Sequence, residues 1–173
     1  VGSGMLLGLG TGTTAEEFVQ LLGAVIASGQ LRDIRCVCTS RATEALARTL
    51  RIPTMALEEA EMLDITIDGA DEMDSRLRLI KGRGGALLRE KIVEQASRRF
   101  IVIADDSKLI EPLGKGPLPI EVVDFAALVL FRKFENLGLS PAMRMERDQW
   151  FTTDEGHRII DIRVPAGREI AAP

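Results

Sequence analysis

The chain has 173 residues and a formal net charge of -4, with 46% hydrophobic and 28% charged residues, which is ordinary for a globular protein. The 22 basic residues are spread along the chain without a basic tract, which argues against nucleic acid as a partner. No apolar run is long enough to span a bilayer, and the N-terminus lacks a signal-peptide pattern. We therefore expect a cytoplasmic protein with no membrane partner.

Strand and helix patterns alternate along the first hundred residues. The predicted strands cover residues 5–9, 34–38, 63–67 and 100–104, with a short extended piece at 77–80. The predicted helices cover residues 15–26, 43–50 and 86–97. This alternation predicts an α/β fold, with a mostly parallel sheet and helices on both faces.

The pattern changes near residue 117. Asp124 is a candidate cap for a helix over 124–137 that Gly138 would end, and short strands are predicted at 142–145, 150–153 and 158–164. We therefore expect a main α/β domain over residues 1–123 and a small α+β domain over 124–173. The chain starts at Val1 and stops at Pro173 in mid-pattern, so we expect both ends, and the small domain, to be incomplete.

The chain has few residues that could form a metal site or a disulfide bond. Cys36 and Cys38 lie two apart in a predicted strand, where a disulfide would be strained, so we expect buried thiols. His157, beside a turn, is expected to be exposed, and Trp150 is expected to pack in the small domain. The sequence therefore predicts no metal site and no cofactor.

A first glycine-rich loop, from Gly8 to Ala15, joins the first strand to the first helix. Backbone N–H groups and threonine hydroxyls there could hold an anion at the helix N-terminus, although a purely structural turn is the alternative. The spacing also fits the dinucleotide fingerprint, but the acidic residue expected after the second strand is missing. Thr39, Ser40 and Arg41 stand there instead and could bind a 2′-phosphate.

Carboxylates and a second glycine-rich loop follow the third strand. Asp68 and Asp71 bracket two small residues that leave room for a ligand, and Lys81 precedes a loop ending at Gly85. Such a carboxylate pair could divide acid and base roles, or could bind magnesium. A solvated turn is the alternative for the loop, and Glu72 and Asp74 are expected to be solvated.

Two further residues are candidates for chemistry. Glu90 lies near the start of the helix after the second loop, and a base there would need burial to offset the helix dipole. Lys108 follows the strand at 100–104, at the edge where ligands bind in parallel sheets. An exposed ion-pairing glutamate and a surface lysine are the alternatives.

Six segments together resemble ribose-5-phosphate isomerase, type A. They are Gly8 to Ala15, Thr39-Ser40 with Thr43, Asp68-Gly-Ala-Asp71, Lys81-Gly-Arg-Gly-Gly-Ala-Leu-Leu-Arg-Glu-Lys91, Ile103-Ala-Asp-Asp-Ser-Lys108, and Pro117-Leu-Pro-Ile-Glu-Val122. The resemblance implies a sugar-phosphate isomerase or CoA-transferase-like fold, metal-free interconversion of ribose 5-phosphate and ribulose 5-phosphate through an enediolate, and a homodimer or homotetramer.

The resemblance also implies residue roles. Glu90 is implied as the base, Asp68 as the residue assisting ring opening, and Asp71 as the residue positioning hydroxyls. Lys81 and its loop are implied to stabilise a negative oxygen. The implied substrate-binding residues are Thr11, Gly12, Thr13, Thr14, Asp68, Gly69, Ala70, Asp71, Lys81, Gly82, Arg83, Gly84 and Lys108.

Two departures from the family's pattern occur, because Arg83 stands where glycine is common and Thr13 where serine is common. Arg83 could clash, or could point outward and add charge near the phosphate. A sugar-phosphate sensor on the same fold and an NADP-dependent oxidoreductase remain alternative functions. A sensor needs no base, and an oxidoreductase leaves the Lys81 loop unexplained.

Overall fold

A computed structural model of the chain describes residues 1–165, which fall into two compact units. The first unit comprises Val1–Gly69 and Leu88–Ala104, and the second comprises Ala70–Leu87 and the chain from Asp105 onward. The domain boundary that we placed between residues 123 and 124 stays a prediction. Residues 166–173 of the expected small domain lie outside the described residues.

Most strands and helices of the structure lie close to those predicted, but β4 and β7 were not predicted. The strands are β1 (Leu6–Leu9), β2 (Arg35–Cys38), β3 (Ile65–Asp68), β4 (Glu72–Met73), β5 (Leu79–Ile80), β6 (Phe100–Val102), β7 (Leu118–Val122), β8 (Ala142–Met143), β9 (Met145–Glu146), β10 (Gln149–Trp150) and β11 (Arg158–Ile162). The helices are α1 (Thr13–Ala27), α2 (Arg41–Thr49), α3 (Leu87–Gln95) and α4 (Ala127–Asn136).

The first unit is built on a parallel sheet, which confirms the predicted α/β fold class. Its four strands lie in the order β2-β1-β3-β6, and each pair is parallel. Leu7 and Leu9 of β1 pack in one core cluster with Val19 of α1 and Ala47 of α2. The neighbouring position Leu6 packs in another cluster with Val93 of α3. Because successive strand residues face opposite ways, helices cover both faces of the sheet.

The register of this sheet brings the carboxyl ends of its strands to one edge. Leu9 pairs with Cys38 and with Ile67, and Asp68 pairs with Val102. The segments that follow β1, β2 and β3 therefore leave the sheet at the same edge. In parallel sheets this edge is where ligands bind.

The second unit contains a three-stranded antiparallel sheet in the order β7-β11-β8 and the hairpins β4-β5 and β9-β10. Its core contains Val122, Ala127, Ile160 and Ile162, against which Phe131 and other apolar side chains of α4 pack. Helix and sheet therefore share one core, and the sheet includes β7, which lies before the predicted start of the small domain at residue 124.

Asp124 does not cap α4, contrary to our prediction. It begins a short 3-10 helix and accepts a hydrogen bond from Nε of Arg158 at 2.5 Å. The N-cap of α4 is Ala126, which has no side-chain cap. The predicted end of the helix is confirmed, because Gly138 follows it with a φ of 70°.

Two further expectations for this region are wrong. Trp150 is 40% exposed instead of packed, and the guanidinium of Arg158 lies 5.9 Å from the centre of its ring. His157 is half-buried instead of exposed, with Nδ1 3.1 Å from Oε1 of Glu121. The partner of His157 lies 36 positions earlier in the chain, which local patterns do not reveal.

Candidate active site

The first glycine-rich loop lies against the end of β3. A Cβ on Gly10 would lie 2.6 Å from the Cα of Asp68, so only glycine allows this approach. The first hydrogen bond of α1 runs from the N–H of Glu16 to the carbonyl of Gly12. Within the described part of the chain, the N–H groups of Gly12, Thr13 and Thr14 therefore have no hydrogen-bond acceptor. Such groups at a helix N-terminus suit an anion.

Thr11 is tied into a group of four hydroxyls that we call the hydroxyl cluster (Thr11, Thr39, Ser40 and Thr43). Oγ1 of Thr11 lies 2.7 Å from Oγ1 of Thr39, 2.9 Å from Oγ of Ser40 and 3.1 Å from Oγ1 of Thr43. The hydroxyl of Thr43 donates to the carbonyl of Gly10 at 2.9 Å. The cluster therefore fixes the loop from the side of α2.

The hydroxyl cluster bears on the dinucleotide alternative. Thr39 and Ser40, the suggested ligands of a 2′-phosphate, are buried, and Ser40 caps α2 by accepting from the N–H of Thr43 at 3.0 Å. The hydroxyls of Thr39 and Ser40 thus form hydrogen bonds within the protein. The structure gives no support to the oxidoreductase alternative at these positions.

Asp68 ends β3 and is fully buried. Its Oδ1 accepts hydrogen bonds from the N–H of Thr11 at 3.0 Å and from the N–H of Gly69 at 2.7 Å. These two bonds fix the direction of the carboxylate at the carboxyl edge of the sheet. The sequence predicted this position for Asp68, because the residue follows the strand predicted at 63–67.

Glu90 lies in the first turn of α3 and is 4% exposed. The alternative of an exposed surface glutamate is therefore wrong for Glu90. A buried carboxylate in a polar protein needs a reason, because burial of such a group is costly. Sites of proton transfer are one place where such buried carboxylates occur.

In the second unit, Asp71 holds the second glycine-rich loop. Its N–H donates to the carbonyl of Ile80 at 2.9 Å, and its Oδ2 accepts from the N–H of Arg83 at 2.9 Å. Gly82 has a φ of 96°, which a non-glycine residue would adopt only with strain. The loop is thus a hydrogen-bonded turn, which favours an ordered loop over the alternative of a solvated turn.

Glu72 is buried, contrary to our expectation of a solvated side chain. Its carboxylate accepts from the N–H groups of Gly114 at 2.6 Å and Gly116 at 2.8 Å, and from the guanidinium of Arg83. Burial alone would raise the pKa of Glu72, but the hydrogen bonds from Arg83, Gly116 and Gly114 outweigh it and hold the pKa below its ordinary value.

Arg83 adopts neither of the two orientations that we considered for it. Its guanidinium is paired with Glu72, and its Nε donates to the carbonyl of Pro117 at 3.3 Å. Asp74 is also buried instead of solvated, and it accepts from Nε of Arg78 at 2.6 Å. Glu72 and Asp74 therefore both accept hydrogen bonds from arginine side chains inside the protein.

Arg144 is a residue that the sequence analysis missed. Its Nη1 donates to the carbonyls of Gly82 at 3.3 Å and Arg83 at 2.8 Å, while its other nitrogens bind Asp161. The sequence offered only an arginine between two short strand candidates. No local signal connects it to a loop some sixty residues earlier.

Lys108 ends a short 3-10 helix, Asp106–Lys108, that follows β6, and it is half-buried. Asp105 caps this helix by accepting from the N–H of Ser107 at 2.9 Å. Among the described residues, the ammonium of Lys108 has no hydrogen-bond or ion-pair partner. It is thus available to an anionic ligand.

The predicted residues therefore fall into two groups. The first unit contains the loop with Thr11 to Thr14, together with Asp68, Gly69 and Glu90, and the second contains Asp71, Lys81 to Gly84 and Lys108. Along residues 1–165, no group of three or more His, Cys, Asp or Glu side chains could hold a metal ion. No helix over the same residues is long and apolar enough to cross a membrane.

Comparisons with known proteins agree with each other. The sequence model of the family described as ribose 5-phosphate isomerase A (phosphoriboisomerase A) matches residues 35–172. The chain is 50% identical to ribose-5-phosphate isomerase A of Sphingopyxis alaskensis, over 99% of this chain and 76% of that protein. It is 47% identical to the same-named protein of Bacillus mycoides, over 95% of this chain and 74% of that protein.

Solved structures show the same similarity. Ribose 5-phosphate isomerase from Plasmodium falciparum superimposes with a TM-score of 0.91 at 40% identity, over 95% of this chain and 72% of that one. A D-ribose-5-phosphate isomerase in complex with phospho-erythronic acid gives a TM-score of 0.91 at 39% identity, over 95% of this chain and 73% of that one.

Proposed function

The chain belongs to the ribose 5-phosphate isomerase A family of aldose–ketose isomerases, and on this premise we propose how its residues interconvert ribose 5-phosphate and ribulose 5-phosphate. The observation that carries the proposal is the buried Glu90 carboxylate in the first turn of α3. An isomerase of this class needs one base that serves two adjacent carbons.

The proposed reaction begins with ring opening, which Asp68 assists. Glu90 then removes the proton from carbon 2 of the open-chain aldose, and the electron pair moves to the carbonyl oxygen on carbon 1. The resulting enediolate accepts the same proton back at carbon 1, while the proton of the 2-hydroxyl ends on the oxygen of carbon 1. Atoms and electrons balance without an oxidant or a metal ion.

Stabilisation of the negative oxygen is assigned to Lys81 and the N–H groups of its loop. Fixed donors of this kind lower the barrier because they are already oriented when the charge develops. The support comes from the loop itself, whose backbone is held by Asp71 at the N–H of Arg83. Asp71 is further proposed to position the substrate hydroxyls, next to Gly69 and Ala70 in the chain.

The phosphate is assigned to the loop before α1 and to Lys108. The N–H groups of Gly12, Thr13 and Thr14 precede the first hydrogen bond of α1. Thr11 differs from these three residues. Its N–H donates to Asp68, and its hydroxyl donates to Ser40 within the hydroxyl cluster. We therefore propose that Thr11 orients the loop, while its three successors contact the phosphate.

Homo-oligomeric assembly and cytoplasmic residence remain predictions. Large apolar side chains near α4 support self-association, since Phe125 is 98% and Val129 66% exposed. Sedimentation of the protein at several concentrations distinguishes a dimer or tetramer from a monomer.

A coupled assay with ribose 5-phosphate, with and without EDTA, tests the proposed function. We expect turnover to ribulose 5-phosphate that EDTA leaves unchanged. Binding without turnover would indicate the sugar-phosphate sensor instead. Loss of turnover in EDTA with recovery in magnesium would make Asp68 and Asp71 metal ligands and contradict the proposed mechanism.

A further inference from the structure

Arg144 connects the antiparallel sheet of the second unit to the second glycine-rich loop. Its Nε and Nη2 donate to the two carboxylate oxygens of Asp161, at 2.9 and 2.5 Å. Its Nη1 donates to the carbonyls of Gly82, at 3.3 Å, and Arg83, at 2.8 Å. One guanidinium therefore joins Asp161 of β11 to two successive peptide groups of the loop.

The position of Arg144 is itself fixed at both ends. Its backbone N–H donates to the carbonyl of Ile159 at 2.9 Å, and the side chains of Arg144 and Asp161 are only 15% and 19% exposed. A two-point pair of arginine and carboxylate sets the plane of the guanidinium as well as its distance. Arg144 thus presents Nη1 to the loop in one direction.

This direction determines where the N–H groups of the loop point. In a planar trans peptide the C=O and N–H point to opposite sides. The C=O of Gly82 faces Arg144, and the N–H of the same peptide, that of Arg83, binds Asp71 on the other side at 2.9 Å. The C=O of Arg83 also faces Arg144, so the N–H of Gly84 must point away from Arg144.

The N–H of Gly84 is the donor that this arrangement leaves for a ligand. Gly84 is exposed, and its N–H has no acceptor among residues 1–165. By contrast, the N–H of Gly85 is used within the loop, where it donates to the carbonyl of Gly82 at 3.0 Å. A fixed, unused N–H beside Lys81 has the properties of an oxyanion donor.

We propose that Arg144, held by Asp161, is a positioning residue that orients the Gly82–Gly84 peptides and aims the Gly84 N–H at the negative oxygen of the enediolate. This inference rests on the proposed isomerase function and deepens it. Arg144 touches the loop carbonyls and acts through them on the reaction. Its removal therefore affects the transition state more than the binding of the phosphate end.

The test compares Arg144→Met with Arg158→Met. Arg158 lies in β11, as Asp161 does, and it also pairs with an aspartate, Asp124. Its other hydrogen bonds run to Trp150 and Thr152 and not to the loop. For folded Arg144→Met we expect kcat to fall about 10²-fold with KM changed less than about threefold, because loss of one oxyanion donor costs about 10²–10³-fold. Arg158→Met should keep kcat within about twofold.

Binding measurements separate positioning from general damage. Phospho-erythronic acid carries a carboxylate at the end that reacts in the substrate, so its Kd should rise about tenfold in Arg144→Met. The Kd of inorganic phosphate should stay within about twofold. An equal rise in both constants would overturn the positioning role.

Two further variants cover the case in which Arg144→Met does not fold. Asp161→Asn keeps Arg144 but weakens its anchor, and should lower kcat about tenfold. Arg144→Ala should regain activity with millimolar guanidinium, whereas Lys81→Ala should not. If wild-type protein isomerises ribose 5-phosphate but folded Asp161→Asn keeps full kcat and guanidinium has no effect, the inference is wrong. An inactive wild-type protein would instead contradict the proposed function.

Discussion

The backbone N–H of Thr11 donates to Oδ1 of Asp68 at 3.0 Å, so the loop after β1 and the last residue of β3 are joined directly. The hydroxyl of Thr11 is bound at the same time by Ser40, at 2.9 Å. One threonine therefore connects a carboxylate proposed for catalysis to the hydroxyl cluster beneath the proposed phosphate loop.

Ser40→Ala tests the hydroxyl cluster. Ser40 caps α2 and accepts from Thr11, so its loss should lower the free energy of unfolding by about 1 kcal/mol, within the range of about 0.5–2 kcal/mol for an N-cap. Urea unfolding measures this change. Ser28→Ala, which removes an exposed hydroxyl at the end of α1, should change it by less than about 0.5 kcal/mol. Equal effects of the two substitutions would contradict a stabilising cluster.

The two thiols should be unreactive in the folded protein. Burial raises the pKa of Cys36 from 9.0 to about 12, and burial also raises that of Cys38 to about 12. At pH 8 the thiolate fraction is then on the order of 10³-fold below that of a free thiol, so iodoacetamide should label both residues only after unfolding in urea. Rapid labelling of folded protein at pH 8 would contradict this burial.

The same pKa values predict a loss of stability at high pH. Between pH 9 and about 12 the unfolded chain releases thiol protons that the folded chain retains. The unfolded state then binds fewer protons, so the free energy of unfolding decreases as pH rises through this window. The double variant Cys36→Ala, Cys38→Ala should show a smaller decrease, and an identical decrease would contradict the prediction.

The sequence predicted the parallel sheet and the position of Asp68, because these follow from short, largely apolar segments and the residues that end them. It did not predict the burial of Glu72. That burial depends on the N–H groups of Gly114 and Gly116, more than forty residues away, and on Arg83. Contacts at such separations leave no local periodicity.

Contacts between residues far apart in sequence also explain the other differences between the prediction and the structure. Arg144 reaches Gly82 across 62 positions, and Asp124 is drawn to Arg158 across 34 positions instead of capping its own helix. Glu90 was singled out as a candidate base, which stays a prediction, and its burial was undecided from sequence because the charged residues Arg89 and Lys91 flank it. Side-chain partners set by tertiary structure therefore account for what could not be predicted.

Lys108→Ala should weaken substrate binding with little effect on the chemical step. The ammonium of Lys108 makes no hydrogen bond or ion pair along residues 1–165, and a charged hydrogen bond to phosphate is worth about 1.5–3 kcal/mol in both ground and transition states. KM for ribose 5-phosphate should rise about tenfold or more, while kcat stays within about threefold. Lys133→Ala, on exposed α4, is the control. A large loss of kcat at unchanged KM would rule out a phosphate-binding role.

Glu90→Gln keeps the shape of the side chain and removes the proposed base. General base catalysis contributes about 10²–10⁴-fold, and one residue here serves both proton transfers. We expect kcat to fall about 10⁴-fold and exchange of the carbon-2 proton with solvent to fall in parallel, while inorganic phosphate still binds. Glu16→Gln, an exposed glutamate in the first turn of α1, should keep full activity. If folded Glu90→Gln retains more than about a tenth of wild-type kcat, Glu90 is not the base.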